Sequence, residues 1–493
     1  MEEVEIKPVP LDRLSALLSP ERAQHLADSA ERARQSFGDR VVWHVNATAH
    51  GGGVAEMLQT LLAYGNGAGV TNRWLVLTGD PEFFTITKRL HNMLHGSRGD
   101  GGVLGEAEHT HYEAVLETNL ADLRSRIGPG DIVLLHDPQT AGLCAGLREI
   151  GAHVVWRCHV GRDEPTEVTE AGWGFLRPYL EHAAEAFVFS RRVYAPLWID
   201  SARLVVISPS IDPFSTKNVE LAPDVVEAVL ATVGLVTGGN PDGPVDYVRR
   251  NGRPGTVRTH HANGGLIVDG PPPPYDARLV VQVSRWDHLK DMAGVMEGFA
   301  RMAADDPDGD AHLMLVGPEV TGVTDDPEGA EVLAECSAAW GKLPDAVRAR
   351  VHLASIPMDD GDENAIIVNA LQRHAWVVVQ KSLVEGFGLT VTEALWKGRP
   401  VVASNVGGIA DQIVDGREGL LVRDPRDLDE FAHTLRRVLD DDALAARLGV
   451  GARARVLEEF LGDRHLDQYV ELFAGLVSRP SAEPTGTAAR RSG

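Results

Sequence analysis

Cysteine, long apolar runs and positive charge are all scarce in this sequence. The three cysteines, Cys144, Cys158 and Cys336, are odd in number and widely spaced, which fits a reducing compartment and argues against a disulfide framework or a paired-cysteine zinc site. No apolar run reaches the roughly 18 residues of a membrane span, and residues 1–5 do not open a secretory leader. We therefore expect a cytoplasmic protein with no membrane partner.

The charge balance is strongly acidic. The chain has 71 Asp and Glu against 47 Lys and Arg, which gives a net charge of −24. This balance argues against nucleic acid or an anionic membrane surface as a partner, because both attract basic proteins. An anionic ligand therefore has to be attracted by local cations, since the overall field of the protein repels it.

Short apolar runs alternate with helical patterns along both halves of the chain. Such alternation is typical of parallel sheets covered by helices on both faces, so we predict two doubly wound α/β domains. The first half has helices such as 114–127 among predicted strands at 41–45, 74–78, 132–136, 153–157 and 186–189. The second half has predicted strands at 279–284, 312–316, 351–354, 376–379 and 401–403, with helices near 292–304, 344–350 and 365–373.

Composition also predicts where the domains begin and end. Proline punctuation around Ser208 predicts a linker between a first domain at 1–207 and a second at 208–455. The stretch 241–274 is rich in Gly, Pro and Arg, which predicts an irregular loop inside the second domain. A C-terminal helix is expected at 456–477, followed by a disordered tail at 478–493.

The most informative segment is Lys381–Pro400, which lies between predicted strands at 376–379 and 401–403. Glu385 falls in the Gly-rich turn after the first strand, and Glu393 falls on the helix that follows. Ligands of open α/β sheets lie at the carboxyl ends of the strands, and a carboxylate accepts two short hydrogen bonds from a diol. The pair indicates a site for a hydroxyl-rich ligand; the alternative is one exposed Glu on a helix and another in a turn.

A second motif places two permanent cations after the predicted strand at 279–284. Arg285 and Lys290 lie in the loop that follows it. A planar guanidinium and a flexible ammonium can both reach a phosphate, so this loop predicts an anion site. The alternative is a surface pair neutralised by Asp287 and Asp291.

A third motif is the triple glycine Gly51, Gly52 and Gly53, which connects the predicted strand at 41–45 to a helix at 54–62. The free amides of the first helical turn point at whatever occupies such a loop. The spacing matches neither the dinucleotide-binding fingerprint nor a Walker loop, so the motif alone is a weak signal.

Two further clusters have the residue types of metal sites. The acidic run 359–363 precedes a predicted helix, where carboxylates are favoured by the helix dipole. His109 and His111, with Glu106 and Glu108 nearby, lack regular ligand spacing. We therefore expect no bound metal.

Together these motifs resemble the retaining glycosyltransferases of the GT-B fold, whose second domain carries an Arg, a Lys and a Glu-x7-Glu motif. Here these residues are Arg285, Lys290, Glu385 and Glu393, and the Glu spacing matches without a gap. The closer similarity is to the trehalose glycosyltransferring synthases, over residues 35–455. The matching segments are 46–56, Thr87–Lys88, His91–Asn92, 363–372 and 380–397.

The resemblance implies a fold and a reaction. In the GT-B fold two Rossmann-like domains face a central cleft, the first binding the acceptor and the second the nucleotide sugar. Glucose would pass reversibly from a nucleoside diphosphate glucose, such as ADP- or UDP-glucose, to free glucose, giving α,α-1,1-linked trehalose with retention at the donor carbon. The leaving phosphate would take the acceptor's proton on the same face, so the acid and base pair of a glycosidase is not needed. No cofactor or metal is expected to be required.

The family motif also implies roles for individual residues. Arg285 and Lys290 would stabilise the departing diphosphate, where preorganised charge is most effective. Glu385 would hold hydroxyls of the donor glucose, and Glu393 would bind the ribose hydroxyls. The remaining residues of the expected donor-binding set are Gly51, Gly52, Gly53, Gly386, Phe387, Gly388 and Leu389.

Four residues of the first half complete the expected site. The family counterpart of His159 touches the donor sugar near the anomeric centre, so we assign His159 to catalysis; the alternative is a buried structural histidine. Asp137, Lys88 and Asn92 are predicted on the acceptor side. A surface ion pair would explain Asp137 or Lys88 equally well.

Two other functions share much of this pattern. A retaining trehalose phosphorylase would convert trehalose and phosphate to glucose 1-phosphate and glucose, without any nucleotide ribose for Glu393 to bind. A protein that binds nucleotide sugars without turnover would use the same scaffold. We expect the synthase, acting as a homodimer on a nucleotide sugar and glucose or trehalose.

Overall fold

The computed structural model of the chain describes residues 1–49, 52–260, 265–307, 309–320 and 327–478. The tail predicted at 478–493 lies outside these residues apart from Ser478. None of the helices within these ranges is both long and apolar enough to cross a lipid bilayer.

The chain divides into two compact units. Unit 1 comprises Met1–Ser210 together with the chain from Gly462, and unit 2 comprises Ile211–Leu461. The chain first leaves unit 1 for unit 2 between Ser210 and Ile211, within the proline-containing segment around Ser208 that predicts a linker. Where the sequence predicts a single helix at 456–477, one helix ends at Glu459 and another begins at Gly462, because the backbone of Phe460 leaves the helical region at φ −126°.

The elements of unit 1 alternate between strands and helices. They are β1 (Glu2–Val4), α1 (Asp12–Ser15), α2 (Pro20–Phe37), β2 (Val42–Asn46), α3 (Gly52–Gly67), β3 (Asn72–Val76), α4 (Pro81–Leu94), α5 (Glu106–Arg126), β4 (Ile132–His136), α6 (Cys144–Glu149), β5 (His153–Cys158), α7 (Glu167–Leu180), β6 (Ala186–Phe189) and β7 (Leu204–Val206). The last helix of the chain, which we number α17 (Gly462–Val477), also belongs to this unit.

The sheet of unit 1 has the strand order β1-β3-β2-β4-β5-β6-β7. All pairs are parallel except β1 with β3. Alternate residues of a strand point to opposite faces: Val133 and Trp156 pack with α4, α5 and α7, whereas Leu134 and Val155 pack with α2 and α17. The strand order reverses between β2 and β4, which is where open α/β sheets bind ligands.

Unit 2 repeats the pattern with more elements. They are α8 (Pro223–Thr232), β8 (Asp246–Val248), β9 (Pro254–Thr256), β10 (Ile267–Asp269), β11 (Arg278–Val283), α9 (Met292–Ala304), β12 (Ala311–Pro318), α10 (Pro327–Trp340), α11 (Asp345–Arg348), β13 (Val351–Ile356), α12 (Gly361–His374), β14 (Val377–Gln380), α13 (Leu389–Trp396), β15 (Val401–Ser404), α14 (Ile409–Gln412), β16 (Leu420–Val422), α15 (Leu428–Leu439) and α16 (Asp442–Glu459).

The sheet of unit 2 has the strand order β10-β13-β12-β11-β14-β15-β16, and its order reverses between β11 and β14. The stretch 241–274 is more regular than its composition predicts. β8 and β9 form a hairpin, and β10 adds an antiparallel edge strand to β13. Strands of three residues are too short to give a periodic pattern, which explains why the sequence predicts a loop.

Candidate active site

The predicted donor residues of unit 2 lie at the carboxyl ends of its two central strands. β11 leads into the loop that carries Arg285 and Lys290, and β14 leads into the loop that carries Glu385. These strands are neighbours in the sheet, so the two loops emerge side by side at the point where the strand order reverses.

Lys290 and Glu385 are in direct contact. The Lys290 Nζ atom lies 2.5 Å from Oε2 of Glu385, and the Ser382 hydroxyl donates to the same oxygen at 3.1 Å. Only 16% of the Lys290 side chain and 11% of the Glu385 side chain are exposed. Since an ammonium has three donor hydrogens, Lys290 can keep this contact and still donate to a phosphate.

A set of buried bonds holds the two loops together. The Gln282 side chain donates to the Lys290 carbonyl at 2.8 Å and accepts from the Lys381 amide at 3.0 Å, while the Leu383 amide donates to the Leu289 carbonyl at 2.8 Å. The ammonium of Lys381, whose side chain is fully buried, pairs with Asp291. The position of Lys290 is therefore fixed from both loops.

Arg285 makes a different contact from the one its motif suggests. Its Nη2 atom lies 2.9 Å from the Asp287 carboxylate, and 55% of its side chain is exposed. The alternative for this motif, in which Asp287 and Asp291 neutralise Arg285 and Lys290, is therefore present only for Arg285, because Lys290 pairs with Glu385 and Asp291 with Lys381. The guanidinium end of the pair is exposed, and such pairs contribute only about 0–1 kcal/mol to stability, so Arg285 can exchange Asp287 for a phosphate at little cost.

Glu393 lies on α13 beside two ammonium groups. The Lys217 Nζ atom lies 3.6 Å from its carboxylate, and the buried Lys397 Nζ donates to its main-chain carbonyl at 3.2 Å and to Asn218 Oδ1 at 3.1 Å. Burial lowers the pKa of Lys397 to about 7, an effect that the Glu393 charge opposes. Sequence motifs give no signal for Lys217, because its place beside Glu393 depends on the tertiary fold.

The turn at Gly386–Leu389 brings the chain from Glu385 into α13. Gly388 caps the helix with a φ of 84°, in the left-handed region that favours glycine. The Gln412 side chain donates to the Phe387 carbonyl at 2.6 Å, and the Gly408 amide donates to the Gly386 carbonyl at 3.2 Å. The turn that separates the two glutamates is therefore anchored by α14 and the residue before it.

Asp137 and His159 lie together in unit 1, after the neighbouring strands β4 and β5. The main-chain amide of His159 donates to Asp137 Oδ1 at 2.7 Å. The Asp137 backbone has a φ of 65°, one of two positive values at non-glycine residues in the described chain, and burial raises the pKa of its carboxyl to about 7. Asp137 therefore holds the turn that presents His159.

His159 is the end of a row of three imidazoles that the motifs do not reveal. Its Nε2 atom lies 3.0 Å from Nδ1 of His136, and Nε2 of His136 lies 3.2 Å from Nδ1 of His44. Burial and the nearby Arg157 charge lower the pKa of all three rings, to about 3 for His44. The signal in the sequence is a histidine in each of two strands and one just past a third, but the register that aligns them is a property of the fold.

Arg157 is a fully buried cation on the same face of the sheet. Its guanidinium donates to the Ile207 carbonyl at 3.1 Å, lies 3.0 Å from Nε2 of His465 and contacts the Tyr469 hydroxyl. His465 in turn lies 2.8 Å from the Ser210 hydroxyl. α17 thus helps to hold the charge that keeps the histidine row neutral.

The remaining predicted residues are more scattered. Lys88 is exposed on α4, one helical turn before Asn92. His95 follows the last residue of α4, and its Nδ1 atom lies 3.2 Å from the Gly161 carbonyl oxygen. The end of α4 therefore reaches the turn that follows His159. Gly51 lies outside the described residues, while Gly52 begins α3 and Gly53 is exposed.

The two clusters with metal-like residue types have other partners. Asp359 and Asp360 pair with Arg258 and Arg249, and Asp360 also caps α12. His109 stacks on Phe175 at 3.8 Å between ring centroids, and His111 lies 2.9 Å from Asp80. Within the described ranges no group of three or more His, Cys, Asp or Glu could hold a metal ion.

Comparisons with known proteins match a different family description to each unit. Residues 44–196 match the family described as "Trehalose synthase, N-terminal domain", and residues 362–455 match "Glycosyl transferases group 1". The trehalose synthase of Rubrobacter xylanophilus is 34% identical over 92% of this chain and 95% of the relative. A trehalose phosphorylase of Pleurotus pulmonarius is 28% identical over 88% of this chain but only 56% of the relative.

Solved structures confirm the expected fold. An E. coli trehalose-6-phosphate protein bound with UDP-2-fluoro glucose aligns with a TM-score of 0.65 at 15% identity, over 90% of this chain and 100% of the other. This likeness, together with the two seven-stranded sheets, identifies the GT-B fold. At 34% identity to a trehalose synthase over nearly its whole length, the chain belongs to the trehalose synthase family of GT-B glycosyltransferases.

Proposed function

We propose that the protein transfers glucose reversibly from a nucleoside diphosphate glucose to free glucose, with retention at the donor carbon, and so makes trehalose. The observation that carries the proposal is the contact between Lys290 and Glu385 where the second sheet reverses its strand order, with Glu393 eight positions further on α13. The residues combine a cation for phosphate with carboxylates for hydroxyl groups.

The chemistry required of unit 2 follows from the charges that develop. When the bond to the donor sugar breaks, negative charge grows on the diphosphate and positive charge on the ring. Lys290 and Arg285 stabilise the diphosphate, and Glu385 binds donor glucose hydroxyls. Glu393 accepts hydrogen bonds from the ribose, and the turn at Gly386–Leu389 completes donor binding.

Unit 1 supplies the groups on the acceptor side and one that contacts the donor sugar. His159 contacts the donor sugar near the anomeric carbon, and Asp137, Lys88 and Asn92 serve the acceptor. The leaving phosphate takes the acceptor proton on the same face. We propose that the reaction needs no cofactor or metal, and that Gly51, Gly52 and Gly53 assist donor binding through main-chain amides.

A product analysis separates this reaction from phosphorolysis. Trehalose is incubated with ADP, UDP or GDP, or with inorganic phosphate alone, and the products are identified by chromatography. A nucleoside diphosphate glucose formed with one of the nucleotides is the expected result, and it also identifies the donor base. Glucose 1-phosphate formed only with phosphate would overturn the proposal in favour of a phosphorylase.

Two further tests address the finer parts of the proposal. Activity should survive extensive dialysis against EDTA, and loss that a divalent cation restores would contradict a metal-free reaction. Light scattering during gel filtration should give twice the 53.2 kDa mass of the chain, because we propose a homodimer. Donor binding without turnover, with every acceptor tested, would indicate the non-catalytic alternative.

A further inference from the structure

The row formed by His44, His136 and His159 limits how each ring can be protonated. Nδ1 of His44 faces Nε2 of His136, and Nδ1 of His136 faces Nε2 of His159, at 3.2 and 3.0 Å. The ring planes are nearly parallel, tilted by 21° and 15°. A neutral imidazole has one N–H donor and one acceptor nitrogen, so all three rings have to donate in the same direction along the row.

The surroundings keep the rings neutral. Arg157 is fully buried and permanently charged, and it is held by the Ile207 carbonyl and Tyr469. Burial disfavours a charged ring, and a proton added to any of the three would also place a second buried cation near Arg157, so the pKa of each ring lies well below its ordinary value. The row therefore has two states only, related by reversal of every hydrogen bond.

We propose that His136 and His44 are positioning residues, which couple the tautomer of His159 to their own and so help to decide whether its Nδ1 atom meets the substrate as a donor or as an acceptor. The inference rests on the proposed function, because it takes His159 as the group that contacts the sugar. Asp137 holds the main chain of His159 through its amide, whereas the row holds the ring. If the ring were held only by packing, its tautomer would not depend on His136 or His44.

Unit 2 contains a matched pair for comparison. Nδ1 of His312 lies 2.9 Å from Nε2 of His352, and the rings stack at 5.2 Å with a tilt of 9°. Neither ring belongs to the proposed site. A His312→Phe variant therefore tests whether any effect arises from losing a buried histidine pair in general.

The first experiment reads the tautomer directly. Long-range proton–nitrogen NMR spectra are recorded on the full chain with 15N-labelled histidine, and the His159 signals are assigned from their loss in His159→Gln. The shifts of the two ring nitrogens of His159 give the proportion of its two neutral tautomers. His136→Phe should change this proportion and so move both shifts, and His312→Phe should leave them unchanged.

A second variant protects the test against misfolding. The amide of His44→Asn can occupy the position of Nδ1 and keep its contact with His136, but it can either donate or accept and so imposes no direction. The His159 shifts should then differ from those of the wild type although His44 is two rings away. Unchanged His159 shifts in folded His136→Phe and His44→Asn proteins would overturn the proposal.

Activity gives an independent measurement. His136→Asn keeps an amide near Nδ1 and its bond to His159, whereas His136→Gln keeps one near Nε2 and its bond to His44. We expect His136→Gln to lower kcat about tenfold or more and His136→Asn to lower it less. An equal loss in both would contradict the proposal. If the wild type transfers no glucose, the proposed function fails, and the NMR result still decides whether the row sets the tautomer of His159.

Discussion

The two sheets carry chemically opposite groups at the points where their strand orders reverse. In unit 2 the loops after β11 and β14 present full charges in contact, with Lys290 paired to Glu385 and Arg285 paired to Asp287. In unit 1 the turns after β4 and β5 present His159 and Asp137, and the imidazoles behind them are neutral. The same fold therefore supplies a charged site in one unit and an uncharged polar site in the other.

The difference shows how the surroundings of a side chain determine whether it is charged. Charges survive in unit 2 because each has an opposite partner within hydrogen-bonding distance. Charge is suppressed in unit 1 because burial and the fixed cation of Arg157 disfavour a second positive group. A diphosphate needs the first arrangement, whereas sugar hydroxyls are bound well by the second.

The largest effect is expected from removing the central cation of the charged site. Lys290→Ala should lower turnover at least about a hundredfold, since we propose that this preorganised group stabilises the leaving diphosphate. Steady-state rates with the donor found in the product analysis check this. Lys342→Ala removes an exposed lysine of the same unit and should have no effect. A rate near that of the wild type in folded Lys290→Ala would remove Lys290 from the mechanism.

Arg285 separates activity from stability. Arg285→Ala should also lower turnover about a hundredfold, but the melting temperature should hardly change because more than half of the Arg285 side chain is exposed. Parallel rate and calorimetric measurements test both parts. A clear fall in melting temperature with normal turnover would show that the pair is structural.

Glu393 should act on binding more than on chemistry. Since we propose that Glu393 accepts hydrogen bonds from the ribose, Glu393→Gln should weaken them, and we expect the KM for the nucleotide sugar to rise about tenfold with kcat less affected. Lys217→Met, which removes the ammonium beside it, is the comparison that shows whether the carboxylate or the ion pair is responsible. A change confined to kcat would place Glu393 at the reacting centre instead.

The smallest effect concerns stability at the uncharged site. The pKa of Asp137 is raised to about 7 from about 4 in an unfolded chain, so between these pH values the folded state binds a proton that the unfolded state has lost. The protonated carboxyl therefore supports the folded state at low pH, and the free energy of unfolding falls as pH rises from about 4 to about 7. Asp137→Asn still accepts from His159, and it should gain melting temperature over the wild type at pH 8 more than at pH 5.

The control for the Asp137→Asn prediction is the same substitution at an exposed aspartate. Asp39→Asn, whose side chain faces solvent in unit 1, should give the same difference from the wild type at both pH values. An equal difference for Asp137→Asn would show that its carboxyl remains charged across this range.

The sequence predicts the charged site better than the neutral one. Arg285, Lys290 and Glu385 each follow an apolar strand, so the carboxyl-end rule and the family motif place them at one edge of the sheet. The bond between Lys290 and Glu385 is not predicted, because it depends on how two loops pack. The alternation of strands and helices likewise predicts both sheets, yet it misses β1, β7, β16 and the strands within 241–274, which have three residues each.

The contacts within the histidine row cannot be predicted from the sequence, for a different reason. His44, His136 and His159 come from three separate parts of the chain, and only the pairing register of β2, β4 and β5 aligns their rings. The sequence pattern places Arg157 only at the end of the predicted strand at 153–157. Its effect on the pKa values of the histidine row depends on its complete burial, which a local sequence pattern does not predict.

The placement of α17 has a practical consequence for anyone who cuts this protein into pieces. Arg22 pairs with Asp463 at 2.6 Å, and Tyr469 and Phe473 fill the core beneath β2 and β4. A fragment that stops at Ser210 would expose that apolar surface and release Arg157 from Tyr469. Independent expression of the first unit therefore requires a fusion in which a short artificial connection joins Ser210 to Gly462.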